Sequence, residues 1–250
     1  MWGSYRCIFA GMKPPAWKDI LLYEDDRLLV VNKPPHISSL DERTAHKTSL
    51  LQMARAYDPG IILCHRLDKE TSGVLVMARD EETYRHVSMQ FEHRKVQKFY
   101  HALVEGIHKT EQMTVDLPIG VARNGLMRVD FSDGKEAVTH FNALEHFRHF
   151  TLMECQPVTG RTHQIRVHLH CRGMHIAHDL EYGGSVPFLS RIKRHYRLSE
   201  EQEEPPMIRR MALHARRIVL SYGEGLHLDL EAPYPNDMQV MLKVLHKYDL

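Results

Sequence analysis

Short apolar runs separated by polar turns dominate the first third of the chain. Leu21-Leu22-Tyr23 and Leu28-Leu29-Val30-Val31 lie on either side of Glu24-Asp25-Asp26-Arg27, which predicts two strands and a tight turn. Asn32-Lys33-Pro34-Pro35 stops the second strand, and a short helix is expected over 48–57. Two further apolar runs, Ile61–Cys64 and Val74–Met77, read as buried strands with the polar stretch His65–Gly73 between them. Asp80 is a good N-cap, and Tyr84, Val87 and Phe91 recur at helical spacing, so a helix is predicted over 81–93. Lys98–Glu105 alternates, with Tyr100, Ala102 and Val104 on one face of a strand.

The second half is less regular. Ser132-Asp133-Gly134-Lys135 marks a turn, and Thr151–Cys155 reads as a strand leading to Gly160. Thr162 is placed to cap a helix from His163 to Cys171, closed by Gly173. Met211–Leu220 and Leu226–Leu230 read as strands, and Asp237–His246 as a helix. Strands and helices are interspersed without β-α-β alternation. The expected class is α+β: a mixed, mostly antiparallel sheet flanked by helices and loops, with one cleft over the sheet.

The chain has 250 residues, 43% of them hydrophobic, enough for a single large domain. Residues 1–18 read as a flexible N-terminal arm, 19–250 as one domain, and 185–210 as a charged insertion within it. No segment approaches the roughly 20 apolar residues of a membrane helix. Cys7, Cys64, Cys155 and Cys171 lie far apart with no C-x-x-C pair, which suits reduced thiols and a cytoplasmic location. Net charge is only +1. The basic residues Lys193, Arg194 and Arg197 are nevertheless grouped, and Glu200, Glu201, Glu203 and Glu204 mask them in the sum.

The chemistry concentrates in His65-Arg66-Leu67-Asp68-Lys69-Glu70-Thr71-Ser72-Gly73. A carboxylate set among cations is held in its charged form, as a nucleophile or proton acceptor requires. A second block, Gly160-Arg161-Thr162-His163-Gln164-Ile165-Arg166-Val167-His168-Leu169, supplies two arginines and places Arg161 and Thr162 at an expected helix start. There, backbone N–H groups favour an anion such as phosphate. These blocks, with Lys98-Phe99-Tyr100, closely resemble the motifs of the RluA-like family of RNA pseudouridine synthases. Asn32-Lys33-Pro34, Asp133–His140, Asp179, Tyr182-Gly183, Leu213-His214-Ala215 and Ala232-Pro233-Tyr234-Pro235 extend the similarity from about residue 19 to about 245.

The resemblance implies a pseudouridine synthase that needs no cofactor and acts on structured ribosomal or transfer RNA. It implies catalytic roles for Asp68, Tyr100 and Arg166, with Arg166 paired to the Asp68 carboxylate and Tyr100 stacked on the target base. Arg66, Arg161, Thr162, Lys193, Arg194 and Arg197 are the expected RNA contacts; for Arg66 the alternative is a surface ion pair with Glu70. No protein partner is implied, and a monomer is expected. Eighteen residues before position 19 are too few for the S4-type RNA-binding module that some relatives carry. One departure concerns the loop at Asp179. The family often has a His-Pro pair and then a glycine before that aspartate, where this chain has Met174-His175 and His178.

Two other functions compete. A metal-dependent hydrolase is suggested by His163, His168, His170, His175 and His178, but no H-E-x-x-H motif occurs, and a helix does not bring these residues to one face. No metal site is expected. A non-catalytic RNA-binding relative is the other alternative, and the presence of Asp68, Tyr100 and Arg166 argues against it.

Overall fold

The structure, a computed structural model, describes residues 15–41, 48–197 and 203–250. The first half supplies helix α1 (Trp17–Ile20), strands β1 (Leu21–Glu24) and β2 (Leu28–Lys33), helix α2 (Leu50–Tyr57), strands β3 (Ile62–Leu63) and β4 (Ser72–Ala78), helix α3 (Glu81–Glu92) and strand β5 (Gln97–Glu105). The second half contains β6 (Met113–Asp116), β7 (Ile119–Val121), β8 (Met127–Val129), β9 (Val138–His146), β10 (Phe150–Pro157), helix α4 (Gln164–Cys171), β11 (Leu213–Gly223), β12 (Leu226–Glu231) and helix α5 (Asn236–Tyr248). Short 3₁₀ turns lie at Leu180–Tyr182 and Leu189–Arg191.

The main sheet runs β1-β2-β4-β11-β5-β10-β9-β6, with β3 added to β4 and β12 to β11; β7 and β8 form a separate ribbon. Every pairing is antiparallel except β4 with β11, which joins Ser72 to His214 and Gly73 to Ala215 in parallel. On its other edge β11 pairs with β5, placing Ala215 opposite Tyr100. The end of the His65–Gly73 stretch and Tyr100 therefore flank one residue at the middle of the sheet.

Both faces of the central strands are covered. Leu29, Val31, Leu75 and Met77 pack on one face with Leu50, Leu51 and Ala54 of α2. Leu28, Val30, Val74 and Val76 pack on the other with Val87 of α3. This two-sided burial explains why β2 and β4 read as continuous apolar runs rather than alternating ones. Tyr100 packs against both the α2-side core and the larger core under α4 and α5. The predicted Asp80 cap is present: its Oδ1 accepts from Thr83 N at 2.8 Å. Ser49 Oγ does the same for α2, accepting from Gln52 N at 3.1 Å.

The α+β expectation holds, and the local boundaries differ in physically informative ways. Most of the expected N-terminal arm, 1–14, lies outside the described residues. Its last part is not a free arm: Trp17–Ile20 forms α1, and the Trp17 ring stacks on Tyr57 at 5.6 Å. The expected insertion at 185–210 is only partly a solvated segment. Ile192 and Ile208 are buried in the larger core, and Arg210 is fully buried. Residues 198–202, which carry Glu200 and Glu201, lie outside the described residues. No helix among the described residues is long and apolar enough to cross a membrane. Cys64, Cys155 and Cys171 are unpaired.

Candidate active site

Asp68 sits on the loop between β3 and β4, and that loop is fastened along its length. Ser39 Oγ donates to Leu67 O at 2.8 Å and accepts from Leu67 N at 3.0 Å. Thr71 N donates to Asp68 O at 3.1 Å, closing a turn. Lys33, with 0% exposure, donates from Nζ to Pro34 O, Ile37 O and Lys69 O at 2.9, 2.9 and 3.1 Å. Arg210, also at 0%, donates from Nη1 to Glu70 O at 3.2 Å while its Nε and Nη2 grip the Asp237 carboxylate at 2.7 and 3.0 Å. A buried cation that satisfies several carbonyls at once fixes their mutual positions, because each lost hydrogen bond leaves a buried polar group unpaired. Burial pushes the Lys33 amine down to about 7, the Arg210 charge acts the same way, and the negative charge of Asp68 opposes both.

His65 opens the loop as a structural residue. Its Nε2 accepts from Val76 N at 3.0 Å and its ring packs on Phe91. Burial, with the nearby Lys98, pushes the imidazole down to about 3, so it stays neutral as the acceptor geometry demands.

The loop forms one wall of an open cleft of about 220 Å³. Arg66, Asp68, Lys98, Tyr100, Arg161, Thr162, His163 and Arg166 all line it. Asp68 is half-buried, and no described residue makes a hydrogen bond or ion pair with its carboxylate. Burial and the Asp68 charge raise the Tyr100 hydroxyl above the usual phenol range, keeping it protonated. Burial lowers Lys98 to about 8, and its Nζ donates to Thr159 O at 3.1 Å. Arg66 does not pair with Glu70. It reaches Thr162 Oγ1 at 3.3 Å, and the Glu70 carboxylate takes Met211 N at 3.3 Å instead.

Three expectations are corrected here. Arg166 does not pair with Asp68. Its Nε and Nη2 form a bidentate bridge to Asp179 at 2.7 and 2.6 Å, Nη2 also donates to Glu181 at 2.7 Å, and the guanidinium lies 4.5 Å over the Tyr182 ring. Asp179 is only 2% exposed. A buried carboxylate needs such a partner more than a half-buried one at the cleft wall does. Thr162 does not cap α4. The cap position belongs to His163, in the left-handed conformation at φ 54° and ψ 20° without a side-chain cap bond. Arg161 does not offer a free backbone donor either, because its N donates to Gln164 Oε1 at 2.9 Å. Its Nε donates to Glu136 O at 2.9 Å.

Lys193, Arg194 and Arg197 do not join the cleft. They follow the Leu189–Arg191 turn, and the Lys193 ammonium lies 5.2 Å from the Tyr248 ring at the end of α5. The remaining histidines of the expected cluster are taken up by backbone carbonyls and a threonine rather than gathered around one point. His168 meets Leu117 O and Thr139 Oγ1, His178 meets Ile208 O, and His170 and His175 both meet Tyr182 O. Sequence reasoning missed the fastening roles of Lys33, Ser39 and Arg210, and that of Gln164. Lys33 carried a signal in the Asn-Lys-Pro turn. Arg210 had none, being read as the end of a charged insertion.

The departure before Asp179 has a simple outcome. His178 adopts φ 62°, the conformation a glycine supplies without strain. The loop thus keeps the glycine-type path, and His178 Nδ1 hydrogen-bonds Ile208 O at 2.6 Å. The backbone strain and the lost hydrogen bond are of similar size, about 1 kcal/mol each. His178→Gly is expected to change the melting temperature by no more than about 4 °C, measured by differential scanning calorimetry.

A half-buried carboxylate shares a cleft of about 220 Å³ with an aromatic ring and three arginines. Such a site can attack or deprotonate a sugar, stack a base and hold flanking phosphates. Comparison with known proteins points the same way. The RNA pseudouridylate synthase family profile matches residues 27–171. An RNA pseudouridine synthase of Bacillus subtilis, YlyB, is 34% identical over 242 residues, covering 91% of this chain and 73% of that protein. Ribosomal large subunit pseudouridine synthase C of Salmonella typhimurium is 35% identical over 243 residues, covering 93% and 72%. Among solved structures, human RNA pseudouridylate synthase domain containing 4 superposes with a TM-score of 0.70 at 26% identity, covering 92% of this chain and 94% of that one.

Proposed function

The chain belongs to the RNA pseudouridylate synthase family, and from that premise we propose that it isomerises uridines of large-subunit ribosomal RNA with Asp68 as nucleophile or base. The protein is a pseudouridine synthase. The reaction breaks the N1–C1′ bond, turns the uracil, joins C5 to C1′, and moves the C5 proton to solvent and a proton to N1. Nothing is gained or lost overall, so no oxidant or group donor is required.

The observation that carries this reading is the placement of Asp68 and Tyr100 in one cleft, with Gly73 at the end of the Asp68 loop and Tyr100 paired on either side of Ala215 in β11. The Asp68 carboxylate begins the reaction, by attack at C1′ or by taking the C2′ proton. The Tyr100 ring stacks on the uracil, and its protonated hydroxyl excludes it as a general base until a proton is removed. Arg166, its charge met by Asp179 and Glu181, forms a fixed part of the cleft wall rather than a partner of Asp68. Arg66, Arg161 and Thr162 line the cleft and hold the phosphates beside the target. Lys193, Arg194 and Arg197 form a second contact region for RNA beyond it. The choice of ribosomal over transfer RNA rests on the relatives named for the large subunit. Unpaired cysteines suit the cytoplasm as the place of action, and the protein acts as a monomer.

The test is a map of pseudouridines in total RNA from cells with and without the gene. One or a few sites in large-subunit ribosomal RNA are expected to disappear with the gene and return with it. Loss confined to transfer RNA would move the target, and an unchanged map would remove the activity.

A further inference from the structure

We infer that His163 contacts the polar edge of the target uracil through Nε2 while the base is held for rotation. This rests on the cleft being the uridine site proposed above. Four observations converge on the residue. First, His163 sits at φ 54° and ψ 20° at the start of α4 and makes no side-chain cap. A β-carbon makes this conformation unfavourable, and glycine or asparagine adopts it more readily. Nothing in the capping of the helix requires an imidazole there.

Second, the ring is held in one orientation. Nδ1 lies 3.0 Å from Tyr182 Oη, and the two rings meet edge to face at 5.7 Å and 89°. Tyr182 Oη is itself fixed between Met127 N and Met127 O, both at 3.2 Å. Third, with Nδ1 taken, Nε2 is the polar atom left over. No described residue hydrogen-bonds to it, and the half-buried side chain lines the cleft with Asp68 and Tyr100. Fourth, burial and the adjacent Arg166 push the imidazole below its ordinary value, against the pull of Asp68, Glu181 and Asp179. The group that faces the base is therefore neutral, with one ring nitrogen able to donate and the other to accept.

Uracil offers two carbonyl acceptors and the N3–H donor on its polar edge. The Tyr182 hydroxyl gives its single proton to Met127 O, so His163 Nδ1 carries the imidazole proton and Nε2 accepts, which matches it to N3–H. A neutral imidazole makes no ion pair with the uracil anion released when the glycosidic bond breaks, so the base is oriented without being trapped. Arg166 stays behind, occupied by Asp179 and Glu181.

His163→Gly and His163→Asn separate this role from a structural one, because both residues tolerate the left-handed backbone and neither presents an imidazole. The readouts are melting temperature, RNA affinity by filter binding, and single-turnover tritium release from large-subunit ribosomal RNA transcribed with [5-³H]uridine. The expected result is a melting temperature within about 4 °C of wild type, affinity within about twofold, and a rate lower by about tenfold or more, the loss of one hydrogen bond to the reacting base. A wild-type rate in both variants overturns the inference, as does a rate that falls only in step with melting temperature. If the wild-type protein itself releases no tritium from these transcripts, the uridine reading of the cleft falls and this inference with it.

Discussion

Asp68→Asn is expected to abolish pseudouridine formation, by about 10⁴-fold or more, while fold and RNA affinity persist. The magnitude follows from removing a nucleophile or base that no other group replaces. The survival of the fold follows from the structure. No described residue makes a hydrogen bond or ion pair with the Asp68 carboxylate, so the amide leaves no partner unsatisfied among the described residues. The loop is held by backbone carbonyls and amides on either side of Asp68, through Ser39, Lys33 and Arg210, and none of these contacts uses its side chain. RNA affinity should stay within a few-fold, because phosphate contacts come from other residues. Primer extension after carbodiimide treatment measures the product, and a thermal melt of the variant checks the fold.

Gly73→Ala is expected to destabilise the protein strongly through a single added methyl group. A β-carbon on Gly73 would lie 2.2 Å from Ala215 O, 2.6 Å from its N and 2.7 Å from its carbonyl carbon, at φ +119°. These are backbone atoms of β11, which cannot retreat because β5 pairs along its other edge with Tyr100 opposite Ala215. The unfavourable φ and the forced separation of the strands together cost about 3 kcal/mol or more, or roughly 10 °C in melting temperature for a chain of this size. Because the same junction seats the end of the Asp68 loop on one side and Tyr100 on the other, activity should fall with it. Gly160→Ala is the control: a β-carbon there meets nothing within 4 Å, so its melting temperature should match wild type to within about 2 °C.

What was legible in the sequence was local. The apolar runs of β2 and β4, the Asp80 cap and the alternation through Tyr100 follow from side-chain periodicity and short-range hydrogen bonding, and they survive in the structure. The two motif blocks named residues that the fold brings to one cleft. Partners were not legible, because they are decided by burial at a distance. Arg166 was identified, but its partner Asp179 is set by a 3₁₀ turn and by burial that no local pattern records. The left-handed backbone at His163 and His178 was hidden for the opposite reason: neither residue is glycine, so neither advertised the conformation. Arg210 reads locally as one more charge after an acidic stretch. Only the fold shows that it lies at 0% exposure between Asp237 and the carbonyl of Glu70.

The central claim is that this cleft isomerises uridine and that Asp68 begins the reaction. The most direct measurement is single-turnover tritium release, with enzyme in excess over large-subunit ribosomal RNA transcribed with [5-³H]uridine, comparing wild-type protein with Asp68→Asn of equal melting temperature and RNA affinity. Wild type should release tritium from one or a few uridines per transcript, and the variant should release none above background. Comparable release by both proteins would contradict the assignment of Asp68, and no release by wild type would contradict the proposed substrate.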